Sequence, residues 1–242
     1  MKISIITVCY NSEKTIEDTI NSVLNQTYAD FEYLIIDGKS KDNTINIVNK
    51  YVNDKRIKFL SEKDNGLYDA MNKGIKLATG DIIGIINSDD ILYDNNVFQM
   101  IVDNYDNNTD ILHGNVVYYD ETLTNIKRDY VPGEKNKDYW CGAHPSMYIK
   151  KEVFDKVGLY NTNYRIVADY DFMIRCNISN IKYKYVNKYF VKMRYGGASN
   201  GLKGYYNNFR ECVASLRSHN VKLPLIKTII RTIKTLKAHV TK

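Results

Sequence analysis

The chain predicts an α/β fold built on an open, mainly parallel sheet flanked by helices, and three observations carry that prediction. Short apolar runs alternate with amphipathic helical stretches along residues 3–87, each run is rich in β-branched residues, and each ends in a polar, turn-forming cluster. Ile3–Cys9, Glu32–Asp37, Ile57–Leu60 and Ile82–Asn87 read as buried strands. Glu13–Gln26, Asp42–Tyr51 and Leu67–Ala78 read as the helices between them, so successive strands are joined by right-handed crossovers and run parallel.

The individual elements follow from spacing. The first helix repeats Ile16, Ile20, Val23 and Leu24 at helical intervals with Ser12 as its cap, and Thr79-Gly80 is read as the glycine stop of the third. After Asn96 the pattern changes to a helix Val97–Tyr105, a strand Ile111–Tyr118, a polar loop through Pro132-Gly133 and then mixed segments. With no internal repeat or low-complexity linker, residues 1–221 read as one domain, with halves 1–95 and 96–221, followed by a helical tail at 222–242.

Composition narrows the class. With 242 residues, 44% of them hydrophobic, the chain can build a core without staples, and Cys9, Cys141, Cys176 and Cys212 show neither a CxxC pair nor a Cys/His metal pattern. A reducing, cytoplasmic setting is expected. The segment after Met1-Lys2 is too short for a signal-peptide core, and no run is long enough to span a membrane. The formal charge of +6 arises from 34 Lys and Arg against 28 acids. Six of the basic residues lie at 222–242, which holds no acid, and removing them leaves 28 of each sign. The excess is confined to the tail, which argues against a nucleic-acid partner.

Chemistry-bearing residues gather at the predicted carboxyl ends of the strands, where an open α/β sheet places its ligand crevice. Tyr10-Asn11 follows the first strand, Asp37 the second, Asp64-Asn65-Gly66 the third, and Asn87-Ser88-Asp89-Asp90 the fourth. Adjacent carboxylates facing a crevice repel unless they share a cation, and hard oxygen ligands suit Mn²⁺ or Mg²⁺ carrying substrate phosphates. Asp37 or Asp64 has the acceptors to hold a base or a ribose, and Tyr10 the ring to stack on one. Each cluster is also good turn chemistry; four coincident strand ends favour nucleotide binding. Neither GxxxxGK[ST] nor GxGxxG occurs.

The ordered series Ile5-Ile6-Thr7-Val8-Cys9-Tyr10-Asn11, Asn25-Gln26-Thr27, Ile35-Ile36-Asp37-Gly38-Lys39-Ser40-Lys41-Asp42-Asn43-Thr44, Asp64-Asn65-Gly66-Leu67-Tyr68-Asp69-Ala70-Met71-Asn72-Lys73-Gly74 and Asn87-Ser88-Asp89-Asp90 resembles a family 2 glycosyltransferase over residues 1 to about 200. The resemblance implies a GT-A fold, a nucleotide-diphosphate sugar donor, a divalent metal and inversion at the anomeric carbon. It further implies donor contacts at Thr7, Val8, Tyr10, Asn11, Asp37, Asp64, Lys73, Ser88 and Asp89, with metal at Asp89 and Asp90. Asn87 stands where many members have an acid, and Gly38 where many have a second Asp.

In the second half, Phe172, Met173 and Cys176 recur at helical spacing and put Asp169 near a helix N-terminus, where negative charge is favoured. From spacing alone Asp169 reads as a cap; the segment also resembles the family's acidic motif before the acceptor helix, which implies a catalytic base. Asp171 is the reserve. His144, in Trp140-Cys141-Gly142-Ala143-His144-Pro145-Ser146-Met147, precedes a proline and is expected to be extended, either as a structural residue or as a contact to acceptor hydroxyls. Trp140 either stacks on a sugar or fills core. Arg194-Tyr195-Gly196-Gly197-Ala198-Ser199 has the glycines of a lid or of an ordinary turn.

The tail sets Leu223, Ile226, Ile230, Ile233, Leu236 and Val240 on one helical face with Leu225 and Ile229 beside it, and Lys227, Arg231 and Lys234 opposite. An acid-free amphipathic helix suits the inner face of a membrane, giving a peripheral location and a lipid-linked or glycan acceptor; packing on the domain, or on a second copy in a homodimer, competes. The expected function is sugar transfer from a nucleotide-diphosphate donor, in surface-polysaccharide assembly. The alternatives are a nucleotidylyltransferase and a non-catalytic membrane-docked module.

Overall fold

The computed structural model describes residues 1–133, 142–196 and 202–240. Its first half is the expected alternation: β1 (Ile3–Cys9), α1 (Ile16–Leu24), β2 (Phe31–Asp37), α2 (Thr44–Asn49), β3 (Ile57–Ser61), α3 (Leu67–Leu77) and β4 (Ile82–Ile85). β1 pairs in parallel with both β2 and β4, and β2 with β3. The register sets Cys9 opposite Asp37 and Asp37 opposite Ser61. One row across three strands therefore forms a single carboxyl edge, from which the loops bearing Tyr10, Gly38 and Asp64 emerge.

The second half extends the same sheet through β5 (Ile91–Leu92), α4 (Val97–Asn104), β6 (Ile111–Tyr119), β7 (Ile126–Tyr130), a 3-10 turn His144–Ser146, β8 (Met147–Lys150), α5 (Lys151–Val157), α6 (Ala168–Ile178), β9 (Tyr183–Arg194), α7 (Leu202–Ser218) and α8 (Pro224–Val240). Strand order is β3-β2-β1-β4-β8-β6-β9-β5, with β7 on β6. β8 lies antiparallel between β4 and β6, while β6 and β9 run parallel. The result is an α/β sheet clothed by helices on both faces, and no helix among the described residues is long and apolar enough to cross a membrane.

Two apolar layers hold it. Ile3, Ile5 and Cys9 of β1 pack on one face with Ile16, Ile20 and Val23 of α1 and Phe98 of α4; Ile6 and Val8 pack on the other with Met71 and Ile75 of α3 and Phe172 of α6. The alternation of β1 side chains between layers is the period of a strand buried on both faces. A third cluster, Val167, Tyr170, Ile174, Cys212 and Leu216, joins α6 to α7.

The differences from the sequence reading have local causes. Ser12 does not cap α1 with its side chain: its hydroxyl meets Ser88 at 2.9 Å, and the helix starts at Ile16. Gly80 is not a left-handed stop. A Cβ there would meet Ser4 Oγ at 2.7 Å and Lys2 O at 2.8 Å, so the glycine serves close passage against β1. β4 stops at Ile85 because Asn87–Asp90 closes into a turn, Asp90 N donating to Asn87 O at 3.1 Å. β7 and β9 were hidden in polar sequence. β9 carries extra residues twice: Tyr185 and Tyr189 pair with His113 and Asn115 of β6, four positions against two, and Tyr189 and Val191 pair with Asn115 and Val116, two against one, which is where the alternation slips. Cys9, Cys176 and Cys212 are buried free thiols; Cys141 and Trp140 lie outside the described residues.

Candidate active site

The carboxyl edge of β1, β2 and β3 carries three loops. Tyr10 follows β1 and is 56% exposed, which leaves its ring open to stacking. Asp64 follows β3; its Oδ1 accepts from Gly66 N at 2.9 Å, while Oδ2 lies against Gly38, so closely that a Cβ at that residue would collide with it. The same Cβ would stand 3.4 Å from the Tyr10 ring. Tyr10, Gly38 and Asp64 thus converge.

The other residues expected at the donor have partners within the fold. Asp37 is fully buried and accepts from Lys39 N and Ser40 N, each at 3.1 Å, and from Ser61 Oγ at 2.6 Å, so its carboxylate holds its own loop to β3. Asn11, with a positive φ of 52°, ties the first loop to the second by accepting from Lys41 N at 2.8 Å. The side chains of Thr7 and Val8 are correspondingly turned into the two core layers, Thr7 receiving the Tyr33 hydroxyl at 3.0 Å. Lys73 Nζ is held by Glu62 at 2.8 Å and by the Lys63 carbonyl at 2.8 Å, and the Glu62 bond leads the rise in its pKa.

The acidic turn presents two different carboxylates. Asp89 is exposed, whereas Asp90 is buried and receives Asn87 Nδ2 at 2.9 Å. Burial, reinforced by the charge of Asp89, pushes the Asp90 carboxyl well above the usual range. Arg194, at the end of β9, clamps the turn by donating to the Asp89 carbonyl at 2.5 Å while pairing with Asp18 of α1 at 2.6 Å. Asn87 Oδ1 is a buried oxygen with no hydrogen-bond partner. The turn thus carries two carboxylates and one unpartnered amide oxygen, the hard-oxygen chemistry that suits Mg²⁺ or Mn²⁺. Among the described residues no group of three His, Cys, Asp or Glu side chains is placed to hold a metal ion.

Asp169 occupies the second turn-forming position of α6. Its Oδ1 accepts from Tyr170 N at 2.9 Å and from the Tyr68 hydroxyl at 3.2 Å, a proton Tyr68 shares with the Ile166 carbonyl at 2.8 Å. Its Oδ2 faces His144 Nδ1 at 3.9 Å. His144 opens a 3-10 turn instead of lying extended, which is what swings its ring toward α6. Burial pushes the imidazole pKa down against the opposing pull of Asp169 and Asp89, and Nε2 is buried without a partner.

Asp171 drops out as a base: buried, it accepts from Arg175 Nε at 3.0 Å and Ser215 Oγ at 2.8 Å and contacts His219 Nε2 at 2.9 Å, pinning α7 to α6. Sequence reading missed Tyr68 and Glu211. Glu211 accepts from Arg165, Ile166 and Val167 N at 3.0 to 3.3 Å and so fixes the chain that leads into Asp169. Its signal was present, since it is the sole acid of α7. Of the glycine-rich stretch after β9, residues 197–199 lie outside the described residues; Gly196 adopts a φ of 154°.

Residues 4–169 match the family model described as Glycosyl transferase family 2, an interval that ends on Asp169. The chain belongs to that family. A PGL/p-HBAD biosynthesis glycosyltransferase from Mycobacterium bovis is 30% identical over 190 residues, covering 72% of this chain and 68% of the relative. The UDP-Glc:alpha-D-GlcNAc-diphosphoundecaprenol beta-1,3-glucosyltransferase WfgD of Escherichia coli is 41% identical over 114 residues, covering 47% of this chain and 45% of that one. Among solved structures, S. aureus TarS 1-349 in complex with UDP-GlcNAc superposes with a TM-score of 0.72 at 20% identity, covering 99% of this chain and 72% of that one. The mannosyltransferase PcManGT from Pyrobaculum calidifontis in complex with GDP-Man and Mn2+ gives 0.70 at 16%, covering 99% and 70%. Those two likenesses establish the GT-A fold.

Proposed function

We propose that this family 2 enzyme moves a sugar from a nucleotide-diphosphate donor to a hydroxyl of a glycan or lipid-linked acceptor, with inversion, in surface-polysaccharide assembly. The observation that carries the reading is the pairing of a braced carboxylate, Asp169, with the exposed Asp89, both within electrostatic reach of His144. Tyr10 and Asp64 grip the base and ribose, and Ser88 and Asp89 the ribose and diphosphate side. With Oδ1 of Asp169 occupied by Tyr68 and Tyr170, Oδ2 takes the proton of the acceptor hydroxyl. The hydroxyl oxygen then bonds to the anomeric carbon as the bond to the diphosphate breaks, the electron pair leaving with the diphosphate. One displacement inverts the centre. A divalent ion held by Asp89, Asp90 and Asn87 Oδ1 would supply Lewis-acid neutralisation of the leaving group.

The acceptor class draws support from the name of WfgD, whose acceptor is alpha-D-GlcNAc-diphosphoundecaprenol, and from α8. That helix packs inward through polar groups: Thr228 is buried, and Arg231 lies 4.5 Å from the centre of the Tyr170 ring and donates to Asn208 at 3.2 Å. Leu223, Leu225, Ile226, Ile229, Ile230 and Ile233 are left 42% to 63% exposed. An aliphatic stripe turned outward on a basic, acid-free segment supports docking at an anionic membrane surface, hence a peripheral cytoplasmic location.

Asp169→Asn should abolish donor hydrolysis and transfer while nucleotide-sugar affinity stays within about twofold; a large loss of donor affinity would move Asp169 into the donor pocket. The double change Ile226→Glu and Ile230→Glu should abolish sedimentation with phosphatidylglycerol vesicles. Unchanged sedimentation, or a dimer that becomes a monomer, would assign the stripe to another partner.

A further inference from the structure

The gap between His144 and Asp169 is the unexplained feature of the site. At 3.9 Å, Nδ1 and Oδ2 are too far apart for a direct hydrogen bond and too close for a water layer. The separation is that of two groups sharing one oxygen atom set off the line between them. Placed roughly 2.8 Å from each, that oxygen would see the two groups at close to a right angle, within the range a hydroxyl uses when it donates one hydrogen bond and accepts another. Resting on the reading of Asp169 as the base, we propose that His144 is a catalytic residue that holds the nucleophilic oxygen, its Nδ1–H donating to the hydroxyl whose proton passes to Asp169 Oδ2.

The roles are fixed by what surrounds the ring. A donor is needed on the side that faces a carboxylate, because two acceptors across that gap would repel and leave the hydroxyl with a single proton for both. Proton placement on Nδ1 is favoured by the negative charge of Asp169, and burial keeps the ring neutral. Nε2 is then the bare acceptor, consistent with its lack of a partner, since an under-satisfied acceptor is tolerated better than an orphaned N–H. The hydroxyl oxygen keeps a second lone pair, which points away from both groups and is free to attack the anomeric carbon. Proton and electrons balance: the O–H bond breaks to Asp169, the new C–O bond forms, and the diphosphate leaves with its pair.

Asparagine and glutamine separate this role from packing, because an Asn amide nitrogen reproduces the place of Nδ1 and a Gln amide nitrogen that of Nε2. UDP-glucose, UDP-GlcNAc and GDP-mannose, each with Mn²⁺ and no acceptor, serve as probes, with water as the nucleophile and released nucleoside diphosphate as the readout. His144→Gln should lower kcat for hydrolysis tenfold or more with KM within twofold, while His144→Asn stays within threefold of wild type. Equal activity of the two variants, or a loss confined to KM, would overturn the assignment. Asp169→Asn separates the failures: full hydrolysis by that variant sinks the base reading itself, whereas its silence beside an unimpaired His144→Gln sinks only the role of His144. A measurement on the unaltered chain stands behind the variants. The ¹⁵N shifts of the His144 ring at pH 7.5 should report a neutral imidazole protonated at Nδ1, and an Nε2–H tautomer or an imidazolium would refute the arrangement.

Discussion

The Asp64 carboxylate occupies the space that a side chain on Gly38 would need. Because the colliding atom is the far end of a movable side chain, Gly38→Ala should be absorbed by rotation of Asp64, with stability changed by less than about 1 kcal/mol. Displacing that carboxylate from beside Tyr10 should weaken nucleoside diphosphate binding about tenfold, close to 1.4 kcal/mol. Titration calorimetry with UDP and GDP checks this, and an unaltered affinity would place the base away from Asp64.

The strand-end loops were legible because the relevant signal is local: apolar runs broken by Tyr10, Asp37, Asp64 and Asp89 state both the strand and its carboxyl edge. What the loops do with those groups was not. Whether Asp37 faces a ligand or its own loop depends on Ser61, a residue brought in by strand pairing. Tyr68 and Asp169 lie a hundred and one positions apart, and Glu211 reaches the same loop from another helix. Such contacts are tertiary, and no period or spacing encodes them. β9 was missed for a different reason: its bulge between Tyr189 and Val191, opposite Asn115 and Val116, breaks the alternation on which strand reading depends.

Asp90 is a buried carboxylate beside another acid, an arrangement that destabilises a chain without its cation. Asp90→Asn should therefore leave the metal-free protein at least as stable as wild type. It should also erase most of the rise in melting temperature that Mn²⁺ adds to that of a nucleoside diphosphate, because ligand that binds the native state stabilises by mass action. Thermal scans with Mn²⁺ or EDTA read both effects. A full Mn²⁺ response in the variant would move the ion elsewhere.

Glu211 tests how far α7 governs Asp169, the proposed base. Replacing a carboxylate that accepts three backbone N–H groups by glutamine turns one acceptor into a donor aimed at donors, which costs about 1–3 kcal/mol. Glu211→Gln should lower the melting temperature and, by loosening residues 165–167, reduce kcat for donor hydrolysis more than it changes KM. Equal kcat at a lowered melting temperature would confine Glu211 to stability.

His113 gives the fold a measurable pH dependence. It lies in β6, buried, with Nδ1 unpartnered and the Tyr185 ring 5.5 Å away, and burial pushes its pKa down from the ordinary 6.5 to about 4. A histidine whose folded pKa is depressed binds its proton more readily in the unfolded chain. Between pH 6.5 and about 4 the unfolded state therefore holds more protons, so stability rises with pH through that window and is complete above it. Across that window the group contributes on the order of 3 kcal/mol. His113→Asn should flatten the denaturant midpoint between pH 6.5 and 4 relative to wild type; the slope that remains has a contribution of the same sign from His144, whose pKa is also lowered, and one of opposite sign from Asp90, whose pKa is raised. Urea unfolding at four pH values across the window measures it, and parallel curves for the two proteins would show that His113 is not the group that titrates.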